Sequence, residues 1–258
     1  MTLYKSTKNE LSYTEFGNSN GYPILVQHGL IASIKDGYLF DRLTEAGARV
    51  ICIARPGYGE SSANVMYSIG EWGRMINELV SQLKLNQFDV LGISSGAPYS
   101  YAIGYALPES TRNIYIFSGI PAMYDDKVIA HWPFPVQKNA SVLEMKKLAN
   151  ELFFSNLAAE DLLRNDSRDS MANEGFGIAL DFCLRCMDWG FTLAEVKQKV
   201  IMRHAGFDVN VPLVCAELTA AMLQNAVLKV EENDIHFSQE TLDDFIGSEI
   251  IPRLQERM

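Results

Sequence analysis

The sequence predicts an α/β fold: a mostly parallel central sheet, covered on both faces, with a helical lid inserted after the sixth strand. Three observations carry that expectation. Short apolar runs of strand length alternate along the chain with longer runs of helical period, the pattern of parallel strands joined by crossover helices. The pentapeptide Gly92-Ile93-Ser94-Ser95-Gly96 stands between one such strand and one such helix. Residues 121–197 break the rhythm with helical runs and no convincing parallel strand.

Taken in order, Leu3 to Phe16 alternate like a hairpin, and Gly17-Asn18-Ser19-Asn20-Gly21 has the composition of a turn. Strands are expected at 23–27, 49–54, 87–92, 113–118, 199–204 and 226–231. Helices fill the gaps at 36–47, 70–85, 95–107, 213–224 and 238–256, with Pro108 ending the third because its ring cannot continue a helix. Within the irregular interval, helical runs fall at 141–154, 158–164 and 178–189. The expected organisation is a core of residues 1–120 and 198–258, interrupted by a helical insertion of residues 121–197, which the family resemblance described below makes a lid. The lid's Trp132, Phe134, Phe153, Phe154, Phe176, Phe182, Met187 and Trp189 serve either as its own core or as the wall of an apolar pocket.

In a G-x-S-x-G turn the two glycines allow a bend too tight for side chains. The central serine is forced into a strained backbone conformation that lifts its hydroxyl clear of the sheet. A serine hydroxyl is a weak nucleophile at neutral pH, so a base must take its proton and an acid must orient that base. Three histidines follow Ser94: His131, His204 and His236. His236 comes after a strand and a short polar loop and just before the last helix, where a base would reach the carboxyl edge of the sheet. His131 lies in the Pro-rich stretch His131-Trp132-Pro133-Phe134-Pro135, and His204 ends an apolar strand, where local packing or hydrogen bonding is expected. Asp208 is the leading acid, in Gly206-Phe207-Asp208-Val209-Asn210-Val211-Pro212 after the same strand. Asp125 and Asp126, beyond the strand at 113–118, compete with it.

Acyl chemistry also needs N–H donors aimed at the developing oxyanion. The amide after the nucleophile, at Ser95, is one candidate; the loop after the strand Pro23-Ile24-Leu25-Val26-Gln27 offers the other, at Leu30 of His28-Gly29-Leu30. His28 then braces the loop and is not a second base. In these segments the chain resembles the α/β-hydrolase fold superfamily, from about Leu3 to the C-terminus. His28-Gly29 resembles that family's oxyanion loop. Arg55-Pro56-Gly57-Tyr58-Gly59-Glu60-Ser61 is similar to its strand-four loop, and the elbow, the Gly-x-Asp-x-x-Val-Pro segment and the late histidine complete the set. The resemblance implies a Ser94–His236–Asp208 triad with Leu30 and Ser95 as oxyanion donors, and no metal or organic cofactor. Three positions depart from the usual pattern: Ile235 stands where relatives have Gly before the histidine, Ala205 follows His204, and Leu30-Ile31-Ala32-Ser33 lacks the Pro-Gly of many relatives.

The reading that follows is a serine hydrolase acting on a small or medium carboxylic ester. Relatives with the same triad include aminopeptidases, lactonases, thioesterases, acyltransferases and C–C bond hydrolases, and some serve as slow-turnover ligand receptors. For an aminopeptidase, Glu160, Asp161, Glu174 and Asp181 are the carboxylates available to hold a substrate ammonium. Asp at the elbow would mark an epoxide or haloalkane hydrolase; this chain has Ser94. The 258 residues, 48% hydrophobic, suffice for one large core plus the insertion. A formal net charge of −10 argues against nucleic acid or anionic membrane as main partners. No apolar stretch approaches the roughly 18 residues of a membrane span, and the N-terminus lacks the apolar core of a secretory signal. A cytoplasmic monomer or homodimer with a small-molecule ester or acyl substrate is therefore expected. Cys52 reads as a core residue, and Cys183-Leu184-Arg185-Cys186, with no second Cys or His pair beside it, as packing or pocket lining.

Overall fold

In the computed structural model, residues 2–5 and 10–257 are described. The elements in chain order are β1 (Thr2–Lys5), β2 (Glu10–Gly17), β3 (Pro23–Gln27), α1 (Asp41–Glu45), β4 (Arg49–Ile53), α2 (Gly70–Gln82), β5 (Phe88–Ile93), α3 (Ala97–Ala106) and β6 (Thr111–Phe117). They continue with α4 (Asp126–Ile129), α5 (Val142–Ala149), α6 (Asn165–Arg185), β7 (Lys199–Ala205), α7 (Leu213–Met222), β8 (Ala226–Glu231), α8 (Gln239–Phe245) and α9 (Ile251–Gln255). Among the described residues the strands form one eight-stranded sheet in the order β1-β2-β4-β3-β5-β6-β7-β8. The pairs β1·β2 and β2·β4 are antiparallel and every pairing from β4·β3 to β7·β8 is parallel. The hairpin expected over Leu3 to Phe16 corresponds to β1·β2, and its turn lies outside the described residues.

The inner strands are apolar throughout because both of their faces are covered. Ile51, Val90, Ile114 and Ile116 point to one face, where they pack with Trp72, Ile76 and Leu79 of α2 and Tyr99, Ala102 and Ile103 of α3. Their neighbours Val50, Cys52, Leu91, Tyr115 and Phe117 point to the other, against Leu43 of α1, Leu242 and Phe245 of α8 and Leu254 of α9. The period-2 alternation of side chains thus divides one set of strands between two cores.

The helices depart from simple expectation in three places. The run at 36–47 opens with a 3₁₀ turn, Gly37–Phe40, before α1. The C-terminal run is joined by a π-helical turn, Ile246–Ile250, between α8 and α9. Pro252 in the first turn of α9 explains it: proline has no N–H to donate and its ring crowds the preceding turn, so the helix widens there. Between β6 and β7 the chain is helical. The run at 158–164 is reduced to a 3₁₀ turn, Asp161–Leu163, while α6 starts well before residue 178 and is broken at Ala172–Gly175. Asn173, Glu174 and Gly175 there have φ of 52°, 59° and 72°, a left-handed stretch that Asn and Gly tolerate best.

Candidate active site

Four loops at the carboxyl ends of the parallel strands converge, as expected for an open α/β sheet. The loop after β5 is the elbow. Ser94 has φ 49°, and a 3₁₀ turn, Ser94–Gly96, leads into α3. A Cβ at Gly92 would lie 2.3 Å from the Ser100 hydroxyl, and one at Gly96 2.0 Å from the Gln27 carbonyl oxygen of β3. Both glycines are therefore demanded by close approach. Gly29, after β3, faces the same turn: a Cβ there would sit 3.9 Å from that of Ser94.

Ser94, His236 and Asp208 form one hydrogen-bonded chain. His236 Nε2 is 3.0 Å from Ser94 Oγ, and His236 Nδ1 is 2.7 Å from Asp208 Oδ2. Because a carboxylate only accepts, Nδ1 carries the proton and the Nε2 lone pair faces the serine hydroxyl. Asp208 Oδ1 accepts from the backbone N–H groups of Asn210 (2.8 Å) and Val211 (3.1 Å). Burial opposes its ionised form, but the hydrogen bond and charge of His236 and the two backbone donors outweigh it, and the carboxyl stays below its usual range. Leu30 and Ser95 line the same cavity as Ser94 and His236. Ser95 sits in the first turn before α3, where backbone N–H groups have no intrahelical acceptor.

The competing residues lie elsewhere. Asp125 caps α4 by accepting from the Lys127 and Val128 N–H groups, and Asp126 pairs with Lys138 at 2.6 Å on the surface. His131 is exposed. His204 is buried beside Asp208 and its Nε2 donates to the Val211 carbonyl at 2.8 Å; burial lowers its pKa. His28 is buried, with Nδ1 on the Gly29 carbonyl (2.8 Å) and Nε2 accepting from the Arg55 N–H (3.2 Å). Burial and the adjacent Arg55 hold it neutral, well below its ordinary value, so it braces the loop.

Two buried arginines at the site hold its loops, a role that the sequence alone did not assign to them. Arg55, after β4, is 1% exposed, and its Nη1 and Nη2 donate to the His28 (2.6 Å) and Gly29 (3.0 Å) carbonyls, fixing the loop that presents Leu30. Asp181 of α6 neutralises it at 2.7 Å and also accepts from the hydroxyls of Tyr58 (3.0 Å) and Tyr99 (2.6 Å). Asp181 is thus fully engaged, Glu174 pairs with Lys146 and Asp161 lies near Arg164, so only Glu160 of the acidic set is left without a described ion pair. Arg203, also 1% exposed, pairs with Glu231 and donates Nη1 to the Ile235 carbonyl at 2.9 Å, steadying the loop of His236 where the sequence lacks glycine. A charge directly after an apolar strand was the available signal for Arg55.

The cavity over Ser94 has a volume of about 890 Å³, the size of a small-molecule site. Trp132, Phe134, Phe153 and Phe182 line it, whereas Trp189 is fully buried in the core of the α2–α3 face and Phe176 packs against that core. Cys52 and Cys186 also face the cavity, and all four cysteines are free thiols. Among the described residues no group of three or more His, Cys, Asp or Glu is placed to hold a metal, and no helix is long and apolar enough to cross a membrane.

A family model described as the alpha/beta hydrolase fold matches residues 22–168, more than half of the chain. The chain belongs to the α/β-hydrolase fold family. Several solved structures superpose over almost its whole length. An esterase from Exiguobacterium antarcticum has a TM-score of 0.70 at 22% identity, covering 96% of this chain and 99% of that one. A structure from a study of carboxylesterases of Nitrososphaera gargenis reaches 0.74 at 16% identity with both chains fully covered. The enol-lactonase of Burkholderia xenovorans LB400 gives 0.72 at 13% identity, covering 99% and 100%. At these identities the likeness concerns the α/β-hydrolase fold alone. An uncharacterized hydrolase of Bacillus subtilis (strain 168), YcgS, is 29% identical over 110 residues, which span 43% of this chain and 38% of that protein's length.

Proposed function

We propose that the protein is a serine hydrolase that cleaves small or medium carboxylic esters through an acyl-enzyme, with residues 121–197 acting as a lid. The observation that supports this most directly is the unbroken hydrogen-bond chain from Asp208 through His236 to Ser94. In the proposed reaction Ser94 Oγ attacks the ester carbonyl carbon while His236 Nε2 takes its proton. Asp208 stabilises the imidazolium through Nδ1 without accepting the proton itself. The Leu30 and Ser95 amides receive the oxyanion, a contribution worth about 10²–10³ in rate for one donor. His236 then protonates the departing alcohol, and a water repeats the steps on the acyl-enzyme. The apolar wall of the cavity accommodates the acyl chain.

Hydrolysis of p-nitrophenyl esters from acetate to decanoate, with fluorophosphonate labelling, tests this. Wild type is expected to turn over and to label, Ser94→Ala to do neither, and the chain-length optimum to report the cavity's reach. Turnover that survives Ser94→Ala, or wild type that neither labels nor hydrolyses any member of the series, would overturn the reading.

A further inference from the structure

Arg185, the last residue of α6, stands in the wall of the Ser94 cavity and also borders a small void beside Leu30 and Ser95. Its guanidinium lies 4.4 Å from the Phe182 ring centroid and 5.8 Å from that of Trp132. Arg185 Nε is buried and has no hydrogen-bond partner, and neither has the buried indole Nε1 of Trp132. Among the described residues no carboxylate forms an ion pair with it. Asp181, one turn back on α6, is already taken by Arg55, Tyr58 and Tyr99. The adjoining Cys186 side chain hydrogen-bonds to Arg185 but supplies no charge, because burial pushes its thiol pKa up. Burial lowers the pKa of Arg185 as well, yet a guanidinium remains protonated in proteins.

The contrast with Arg55 is informative. Arg55 is 1% exposed and has its counter-charge built into the fold, whereas Arg185 is half-buried, with its Nε shielded from water, and has none. A buried cation without one is costly, and the cost disappears when a ligand brings the anion. The planar guanidinium fork matches the two oxygens of a carboxylate. The unpartnered Trp132 N–H is a second donor on the same wall. From this arrangement we infer that the substrate carries a carboxylate, bound in the Ser94 cavity by Arg185 with help from Trp132.

The inference rests on the serine-hydrolase reading but is tested without turnover. In the Ser94→Ala protein, glutarate is expected to raise the melting temperature in a concentration-dependent way, while dimethyl glutarate and inorganic phosphate do so weakly or not at all. Adding Arg185→Met should abolish the glutarate shift and, without ligand, leave the melting temperature equal or higher, since an uncompensated charge is removed. Arg185→Lys should retain part of the shift. In the turnover-competent enzyme, kcat/KM for the p-nitrophenyl monoester of glutarate should exceed that for p-nitrophenyl pentanoate by about tenfold or more, a ratio that Arg185→Met lowers toward one. A glutarate shift that is absent or survives Arg185→Met would overturn the proposal. So would a larger response to phosphate, or an Arg185→Met protein that melts far below its parent. Failure of the serine mechanism would leave the Ser94→Ala binding result untouched.

Discussion

At Asp208 two backbone amides and one imidazole divide a single carboxylate between them. Oδ1 is held by the Asn210 and Val211 N–H groups and Oδ2 by His236, so the carboxylate fixes which His236 nitrogen is protonated. Asp208→Asn keeps the size but presents a donor or a weaker acceptor to Nδ1, favouring the wrong tautomer. It is expected to lower kcat about 10⁴-fold with little change in KM, read from steady-state kinetics on an activated ester; a loss below tenfold would remove Asp208 from the proposed mechanism. The meeting of Ser94 and His236 was legible in the sequence because each is announced locally, one by its flanking glycines, the other by its place between the last strand and the last helix. Asp208 had rivals in Asp125 and Asp126, since nothing local distinguishes a helix-capping aspartate from one facing a histidine. Arg55 was written in a recognisable loop, but its partner Asp181 lies 126 residues away, and no short-range pattern connects them.

Helix α6 ties the segment between β6 and β7 to the loops after β3 and β4. Asp169, before its break, accepts from Ser33 (2.5 Å) and Lys35 (2.7 Å), and its carbonyl accepts from the Gly59 N–H (2.8 Å). Asp181, after the break, meets Arg55. Removing one member of a buried ion pair leaves the other uncompensated, at about 3–5 kcal/mol. Asp181→Ala is therefore expected to melt roughly 10 °C lower, taking about 2–4 °C per kcal/mol for a chain of this size. It should also lose activity, because Arg55 carries the carbonyls beside Leu30. Calorimetry with parallel kinetics checks both; an unchanged melting temperature would show that the pair is not stabilising. The strand positions were readable because buried parallel strands are continuously apolar. The first part of α6, its break and the π turn before α9 were not: residues 165–177 carry no clear helical period, and the break and the turn each arise from one or two residues, Asn173 with Gly175 and Pro252.

Across the whole molecule, stability is coupled to acid through two buried imidazoles. His28 and His204 are both held below the ordinary value of 6.5 by burial. As pH falls through about 6.5 the unfolded chain takes up these protons and the folded chain does not, so protons favour unfolding. Stability present above that pH is lost below it, by about 1.4 kcal/mol per pH unit for each histidine while only the unfolded state is protonated. Asp208, with its folded pKa depressed, adds a further loss as pH drops through its folded value. The melting temperature is expected to be flat between pH 7 and 8 and to fall below about 6.5, with a shallower fall in His204→Gln. Parallel melting curves for the two proteins across that range would argue against the coupling. This dependence is only partly legible in the sequence: the apolar strand before His204 suggests packing, but nothing local shows how deeply either ring is buried. The position of the two α6 aspartates has one more consequence, for engineering. Residues 126–164 lie between β6 and those polar anchors, and they supply Trp132, Phe134, Met145, Leu148 and Phe153 to the cavity wall. That stretch is a natural cassette: libraries recombined within it would vary the shape of the chamber while the attachment points stay in place.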